Sequence, residues 1–446
     1  MNIRRILAVW TAKAACGICR HMGRQGVTWA GKLALMIYPP ILQEMAGEIQ
    51  KKIFIVCGTN GKTTTNNLLC AALESEGETV ICNRTGSNML NGVAAAFVLA
   101  ADIRGRICAD YACIEVDEAS TRHIFPRFHP DYMVLTNLFR DQLDRYGEID
   151  ITMDILKEVI RSAPHMELIV NGDDALSACL AMECQNPWIT YGISEPVTDA
   201  SDDKEMREGR FCRKCGARLV YRFYHYSQLG DYACPQCSFA RPPIDYDARE
   251  VQVGGQLSFA VGRERIVANY RGFYNVYNIL AAYAAGKHAG LTLKNFNRML
   301  KDFHPENGRM EQFRIQNTGI ILNLAKNPAG FNQNISAVMA DQTQKDLIIV
   351  INDNDQDGTD VSWLWDVDFD RFASEQIHSI TVSGIRCQDM RLRLKYADIP
   401  SYLEADVENA ILARLTDGCG NLYVLVNYTA LFSTRNILKK LEEIRP

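Results

Sequence analysis

The sequence predicts an α/β fold: an ATP-binding unit built on a parallel sheet and carrying a small metal-binding insertion, followed by a smaller α/β unit. Three observations predict it. Short apolar runs of four to six residues alternate with helical stretches through most of the chain. A glycine-rich turn, Gly58-Thr59-Asn60-Gly61-Lys62-Thr63-Thr64-Thr65, stands where one such run gives way to a helix. Two Cys-x-x-Cys pairs interrupt the alternation, within about residues 205–242. The length of 446 residues suits two or three domains with their own cores. With 47% hydrophobic and 23% charged residues, a disordered chain, a collagen and a small disulfide scaffold are excluded. The net charge of −5 argues against a global grip on nucleic acid, so no nucleic-acid partner is expected.

The elements follow in order. Lys52–Cys57 reads as a buried strand and Thr63–Glu74 as the helix after the glycine turn. Ala112–Val116, Tyr132–Thr136 and Leu168–Asn171 read as further strands, and Asn275–Lys287 as a helix. Uniformly apolar runs of this length suit a parallel sheet covered on both faces. After Glu311 a second alternation begins, with strands expected at Gly319–Leu324, Asp346–Ile351, His378–Ser383 and Leu422–Asn427. The Pro- and Gly-containing stretch His304–Arg309 separates the two. The expected domains are therefore 1–50, a basic helical segment; 51–311, the ATP-binding unit; and 312–446, the C-terminal unit.

Residues 1–52 hold eight Lys/Arg against two Glu, a local +6 that leaves −11 for the remainder. Met1 to Leu42 reads as a basic, partly amphipathic helix, because Lys13 cuts short the apolar run of a signal peptide and no cleavage site follows. Its plain reading is a helix packed on the body of the protein; the alternative is contact with an anionic membrane surface. No apolar run reaches the ~18 residues of a membrane-spanning helix. Eleven of the fifteen cysteines lie outside the paired four, mostly in apolar runs, as with Cys57, Cys70 and Cys113. Free buried thiols suit a reducing compartment, so a cytoplasmic location is expected, with the inner face of the membrane as its peripheral variant.

The glycine turn has the chemistry of a phosphate site. Gly58 and Gly61 allow a tight turn that aims N–H groups at phosphate oxygens, Thr59, Asn60 and Thr64 add polar groups, and the helix N-terminus adds positive charge. Lys62 can reach the β- and γ-phosphates, and the Thr63 hydroxyl can join a Mg²⁺ shell. Val56 stands where the general pattern has its first Gly. Glu115, just past a strand with Asp117 and Glu118, is the expected carboxylate for Mg²⁺. Thr136-Asn137 forms a polar pair at another strand end. Cys212, Cys215, Cys234 and Cys237, with 18 residues between the pairs, fit a four-thiolate zinc ribbon. Four protein ligands leave no open position, so such a zinc is structural.

The turn resembles the ATP loop of the Mur ligases and folylpolyglutamate synthases. Glu115, Thr136-Asn137, Asn275 and Asn278 in FYNVYNILAA, and Gly308-Arg309-Met310-Glu311 are similar to further family stations in the same order. The resemblance covers about residues 52–446. It implies activation of a carboxylate by ATP as an acyl phosphate, with Asn278, joined by Asn275, at the adenine and Arg309 at the phosphates. About fifty residues precede the loop, so the N-terminal sugar-nucleotide domain of other members is not expected. No KAxI-like lysine precedes Asn171-Gly172-Asp173-Asp174, so no carbamylated lysine is assigned.

The cysteine insertion and INDNDQDGTDVSWLWDVDF (residues 351–369) point to one branch, the synthetase subunit of an enzyme that amidates the D-glutamate of lipid II. That resemblance implies a heterodimer with a separate glutaminase subunit resembling GatD, and lipid II as the substrate at the membrane surface. No GxCxG nucleophile elbow occurs in this sequence, in keeping with a separate ammonia source. It also implies that one aspartate of this chain completes the partner's Cys–His pair. Asp353, Asp357 and Asp360 lie closest to the family motif, and the choice among them stays open. Two other readings stand beside this one: a self-sufficient amino acid ligase of the Mur or folylpolyglutamate type, and a zinc-ribbon nucleic-acid-binding protein switched by ATP.

Overall fold

Alternation along the first strand sets the layers. In β1 (Lys52–Cys57), Ile53, Ile55 and Cys57 face one side of the sheet, while Phe54 and Val56 face the other. Both sides are covered. The first packs on helices α1 (Ile3–His21), α2 (Val27–Ile37) and α3 (Ile41–Ala46) and on α5 (Leu90–Ala100). The second packs on α4 (Lys62–Ser75) and on the helix Tyr274–Lys287. The computed structural model describes residues 2–21, 26–140, 149–197, 208–254, 256–270, 272–303, 310–418 and 420–444. The expected boundary at His304–Arg309, and Arg309 with it, lies outside the described residues.

The larger sheet adds β2 (Val80–Cys82), β3 (Tyr111–Glu115), β4 (Tyr132–Leu135), β5 (Glu167–Asn171) and β6 (Trp188–Ile193). A hairpin of its own, β7 (Val220–Tyr226) and β8 (Leu229–Ala233), follows. The sheet is completed by β9 (Tyr246–Val253), β10 (Leu257–Val261) and β11 (Glu264–Ala268), in the order β11-β10-β9-β6-β5-β4-β1-β3-β2. From β2 to β9 every pairing is parallel. β10 and β11 extend this parallel sheet antiparallel at one end. β9 alternates polar and apolar residues, so its period gives no sign of a buried strand. β1 lies between β3 and β4, where the chain switches sides of the sheet; in such sheets ligands gather at the carboxyl ends of the strands.

A second sheet runs β12 (Glu311–Ile315), β13 (Thr318–Leu324), β17 (Asn421–Val426), β14 (Lys345–Val350), β15 (Ile377–Ser383) and β16 (Tyr402–Leu403). It is parallel except for the β12–β13 hairpin. The four strands expected after Glu311 are β13, β14, β15 and β17.

The N-terminal segment is three helices rather than the single one expected. Ala8, Val9, Ala12 and Cys16 of α1 and Ala30 and Ala34 of α2 are buried, so this segment does pack on the body of the protein. Gly31 permits the close approach of α2 to α5: a Cβ there would stand 1.7 Å from the Asn91 carbonyl.

Candidate functional site

β1 ends in the glycine turn. Gly58 and Gly61 both take positive φ, +125° and +85°. Neither tolerates a side chain for a second reason. A Cβ on Gly58 would stand 2.3 Å from Thr136 Oγ1, and one on Gly61 would stand 2.2 Å from Asn278 Oδ1. The turn is tied to the end of β4: the Asn60 N–H donates to Asn137 Oδ1 (2.9 Å), Asn137 Nδ2 to the Asn60 carbonyl (3.1 Å) and the Thr59 N–H to the Asn137 carbonyl (2.8 Å). This fixes the loop before any ligand arrives, and Lys62 opens α4 immediately after it.

Lys62 is buried and donates to Glu118 Oε1 at 3.0 Å. Burial opposes its charge, but Glu118, Asp117 and Glu115 outweigh burial and hold the ammonium well above the ordinary lysine range. Glu115 closes β3. Its Oε1 accepts from Asn88 Nδ2 at 3.0 Å, while its Oε2 is buried and finds no hydrogen-bond partner among the described residues. A Cβ built on Gly86 would stand 3.4 Å from Thr63 Oγ1 and 3.6 Å from that Oε2, so the hydroxyl and the unsatisfied carboxylate oxygen face one small space. An orphaned carboxylate oxygen beside a Thr hydroxyl is the donor set that Mg²⁺ takes.

These groups line a cavity of about 520 Å³. One wall is Thr59, Asn60, Gly61, Lys62, Thr63 and Thr64 with Glu115, Asn137 and Asn278. The opposite wall comes from the second α/β unit: Asn323 near the end of β13, Lys326 after it, Gln333 and Asn334 on the helix Pro328–Ala340, and Gln356, Tyr428 and Phe432. Two carboxamides bridge the walls, with Asn60 Nδ2 donating to Asn327 Oδ1 (3.3 Å) and Asn327 Nδ2 to Asn60 Oδ1 (3.1 Å). Asn327 also caps the helix Pro328–Ala340, accepting from the Gly330 N–H at 2.8 Å. The size suits a nucleotide with part of a second substrate.

The sequence-predicted residues divide. Gly58 to Thr64 and Glu115 come together as expected. Asn278 is buried against Gly61, and Asn275 stands behind it, accepting from Asn278 Nδ2 at 3.0 Å. The three aspartates lie in different settings. Asp353 is half-buried and accepts from Arg386 Nε at 2.8 Å. Asp357 is buried and accepts from the N–H and the hydroxyl of Thr429 at the start of the helix Tyr428–Ile444. Asp360 is exposed and accepts from the Ser362 N–H (2.8 Å) and hydroxyl; those bonds hold its carboxyl below the usual range.

The four paired cysteines converge. Their sulfurs all lie within 4.8 Å of one another, with Cys212–Cys237 at 3.5 Å and Cys215–Cys234 at 3.4 Å. Gly216 at φ +75° makes the first knuckle, where the Gly216 N–H reaches the Cys212 carbonyl at 2.8 Å. Four thiols in this space fit a tetrahedral metal. We expect Cys215→Ser to lower zinc to a small fraction of one equivalent in metal analysis and to lower the melting temperature; full zinc content in that variant would contradict the assignment.

A family profile described as the Mur ligase middle domain matches residues 56–229, and one described as the MurT ligase C-terminal matches residues 324–431. The chain is 35% identical over 431 residues to the lipid II isoglutaminyl synthase (glutamine-hydrolyzing) subunit MurT of Staphylococcus aureus strain COL, covering 96% of each. It is 30% identical over 450 residues to the subunit of the same name from Streptococcus pneumoniae strain R6, covering 100% of this chain and 99% of that one. The chain belongs to the MurT family of Mur ligases. It is an ATP-dependent ligase, and Mur ligases use ATP and Mg²⁺. Among solved structures, the fold is similar to a pseudomurein peptide ligase type C from Methanothermus fervidus, with TM-score 0.68, 19% identity and coverage of 89% of this chain and 80% of that one. It is also similar to MurF ligase from Thermotoga maritima in complex with ADP, with TM-score 0.60, 16% identity and coverage of 94% and 85%.

For a MurT-family chain, the sequence named Glu118 beside Glu115 but gave it no role, and the structure makes it the ion-pair partner of Lys62. One participant, Asn327, had no place in that reading. Asn327 joins the two walls; Asn followed by Pro at the start of a helical stretch is a cap signal and could have marked it.

Proposed function

We propose that this chain is the synthetase subunit of a glutamine-dependent amidotransferase. It uses ATP to convert the D-glutamate α-carboxylate of a lipid II stem peptide to the amide, giving D-isoglutamine in peptidoglycan synthesis. The observation that carries the reading is the cavity in which the phosphate loop faces the second α/β unit, in a chain alike over nearly its whole length to two relatives named lipid II isoglutaminyl synthase subunits.

The chemistry needs two steps. A carboxylate oxygen attacks the γ-phosphorus and ADP leaves; ammonia then attacks the acyl carbon and inorganic phosphate leaves. The loop N–H groups and Lys62 stabilise charge on the phosphate oxygens during the first step. Thr63 and Glu115 would hold Mg²⁺, which would supply further neutralisation of phosphate charge. Arg309 is assigned to the phosphates by resemblance. The acyl phosphate must be kept from water, and the Asn60–Asn327 pair holds the two walls together for this purpose. Cys212, Cys215, Cys234 and Cys237 would hold a structural zinc, which would anchor the β7–β8 hairpin.

Ammonia comes from a glutaminase subunit, the heterodimer partner. An aspartate of residues 353–360 orients that partner's imidazole. Exposure favours Asp360 and the half-buried Asp353 over Asp357, whose carboxylate is engaged inside the fold by Thr429. We expect Asp360→Asn or Asp353→Asn to cut glutamine-driven amidation at least about tenfold more than ammonia-driven amidation. Equal losses with both nitrogen sources would place the aspartates at the ATP site instead. The reading as a whole is tested by ATP turnover on lipid II with and without a glutaminase subunit. A purified chain that ligates an amino acid at full rate on its own would overturn it.

A further inference from the structure

Helix α1 is apolar on two opposite faces. Ala8, Val9, Ala12 and Cys16 turn inward. At about 100° per residue, Ile3, Leu7, Trp10, Ala14, Gly17 and Ile18 fall together on the other side. All six are exposed, Trp10 at 57%. Helix α2 repeats the pattern: Ala30, Gly31 and Ala34 are buried, while Trp29, at 59%, Lys32 and Met36 are exposed on one face.

Charge distinguishes what this surface meets. Arg4 and Arg20, both exposed, flank the α1 stripe on its two sides, and Lys32 Nζ lies 5.2 Å from the centre of the Trp29 ring. The sequence has no acidic residue before Glu44. A stripe of apolar and Trp side chains with basic flanks and no carboxylates is complementary to an anionic bilayer surface. Neither helix is long and apolar enough to cross one, nor is any other among the described residues.

We propose that the exposed faces of α1 and α2 seat in the headgroup layer of an anionic membrane, with Ile3, Leu7, Trp10, Ile18, Trp29 and Met36 inserted and the basic residues on lipid phosphates. The cavity lies close by. Thr28, the residue before Trp29, lines it, and so does the exposed Met89. Seating α2 therefore brings the edge of the cavity to the lipid surface. The docking surface stands on the helices alone; its benefit to catalysis rests on the reading of a lipid-linked substrate.

The test is flotation of the full-length chain with substrate-free vesicles. One set is phosphatidylcholine alone; the other contains roughly one-third phosphatidylglycerol. We expect at least about tenfold tighter binding to the anionic set, weakened by salt. Leu7→Glu with Ile18→Glu, and separately Arg4→Gln with Arg20→Gln and Lys32→Gln, should each lose most of that gain. Quenching of tryptophan fluorescence in the unaltered chain by brominated anionic lipid gives a readout that needs no variant to fold. Absence of both vesicle binding and quenching, binding indifferent to lipid charge, or variants that keep vesicle binding while losing a co-purifying glutaminase would overturn the proposal. A chain that binds anionic vesicles yet turns over no lipid II supports the docking surface and refutes the substrate reading.

Discussion

Replacing Lys62 with alanine is expected to lower ATP-dependent turnover by about a hundred- to a thousandfold or more, the scale of losing a preorganised charge stabiliser at a reacting phosphate. The geometry sharpens the expectation. Lys62 is the buried cation facing Glu118, with Asp117 and Glu115 also raising its affinity for the proton. Its removal deletes the group aimed at the phosphates and also leaves buried carboxylates uncompensated beside an incoming polyanion. Nucleotide affinity should therefore fall together with the rate. Breaking one side of a buried pair also costs stability, of the order of 3–5 kcal/mol, so the melting temperature must be measured alongside turnover. Lys62→Ala with Glu118→Gln should recover part of that stability and none of the activity. Turnover within about twofold of the unaltered chain would remove Lys62 from the phosphate site.

The second large effect is expected at Asp173, which does not line the cavity. Its carboxylate is fully buried and accepts from Arg241 Nε (2.7 Å), the Tyr277 hydroxyl (2.7 Å) and the Ile193 N–H (2.8 Å). Tyr277 in turn meets His225 Nδ1 at 2.7 Å, and His225 lies on β7 of the cysteine-bearing hairpin. One carboxylate thus ties the hairpin region to β6 and to the helix that carries Asn278. Asp173→Ala strands the Arg241 guanidinium and should cost about 3–5 kcal/mol. Thermal or urea unfolding of the full chain reads this directly, and a change under about 1 kcal/mol would show that the network is dispensable.

Acid should act on the same cluster. Burial, helped by the Arg241 charge, lowers the His225 imidazole to about 3. The unfolded chain binds that proton near pH 6.5 and the folded chain does not. The stability from a neutral His225 is therefore present above about pH 6.5 and falls by up to about 1.4 kcal/mol per pH unit as pH drops toward 3.

Much of the central sheet was legible because its strands are buried on both faces. KIFIVC can be little else than an interior strand, and it forms β1 with the bounds expected. Strands β9 to β11, at one end of the sheet, were not read from the sequence, because polar residues as in YDAREVQV interrupt the uniformly apolar runs by which the interior strands were recognised. The phosphate loop was legible because its chemistry is local: glycine, lysine and threonine lie within eight residues between a strand and a helix. The Cys-x-x-Cys pairs were legible for the same reason. The opposite wall of the cavity was not. Asn327 reaches the loop, and Lys326 and Gln356 line the cavity facing it, through tertiary packing across more than 250 residues, and no local spacing records that approach. The aspartates of residues 353–360 show the limit of a motif. The letters make them look equivalent, yet one is buried on Thr429, one pairs with Arg386 and one is exposed.

Transfer of isotope tests the central claim most directly. Lipid II carrying ¹⁸O in both oxygens of the D-glutamate α-carboxylate is incubated with the chain, its glutaminase subunit, glutamine and unlabelled ATP, and the released phosphate is analysed by mass spectrometry. Attack of that carboxylate on the γ-phosphate leaves one ¹⁸O in each phosphate released with product. Phosphate free of ¹⁸O, formed alongside amidated lipid II, would contradict phosphoryl transfer to the carboxylate and with it the role given to the loop at residues 58–64.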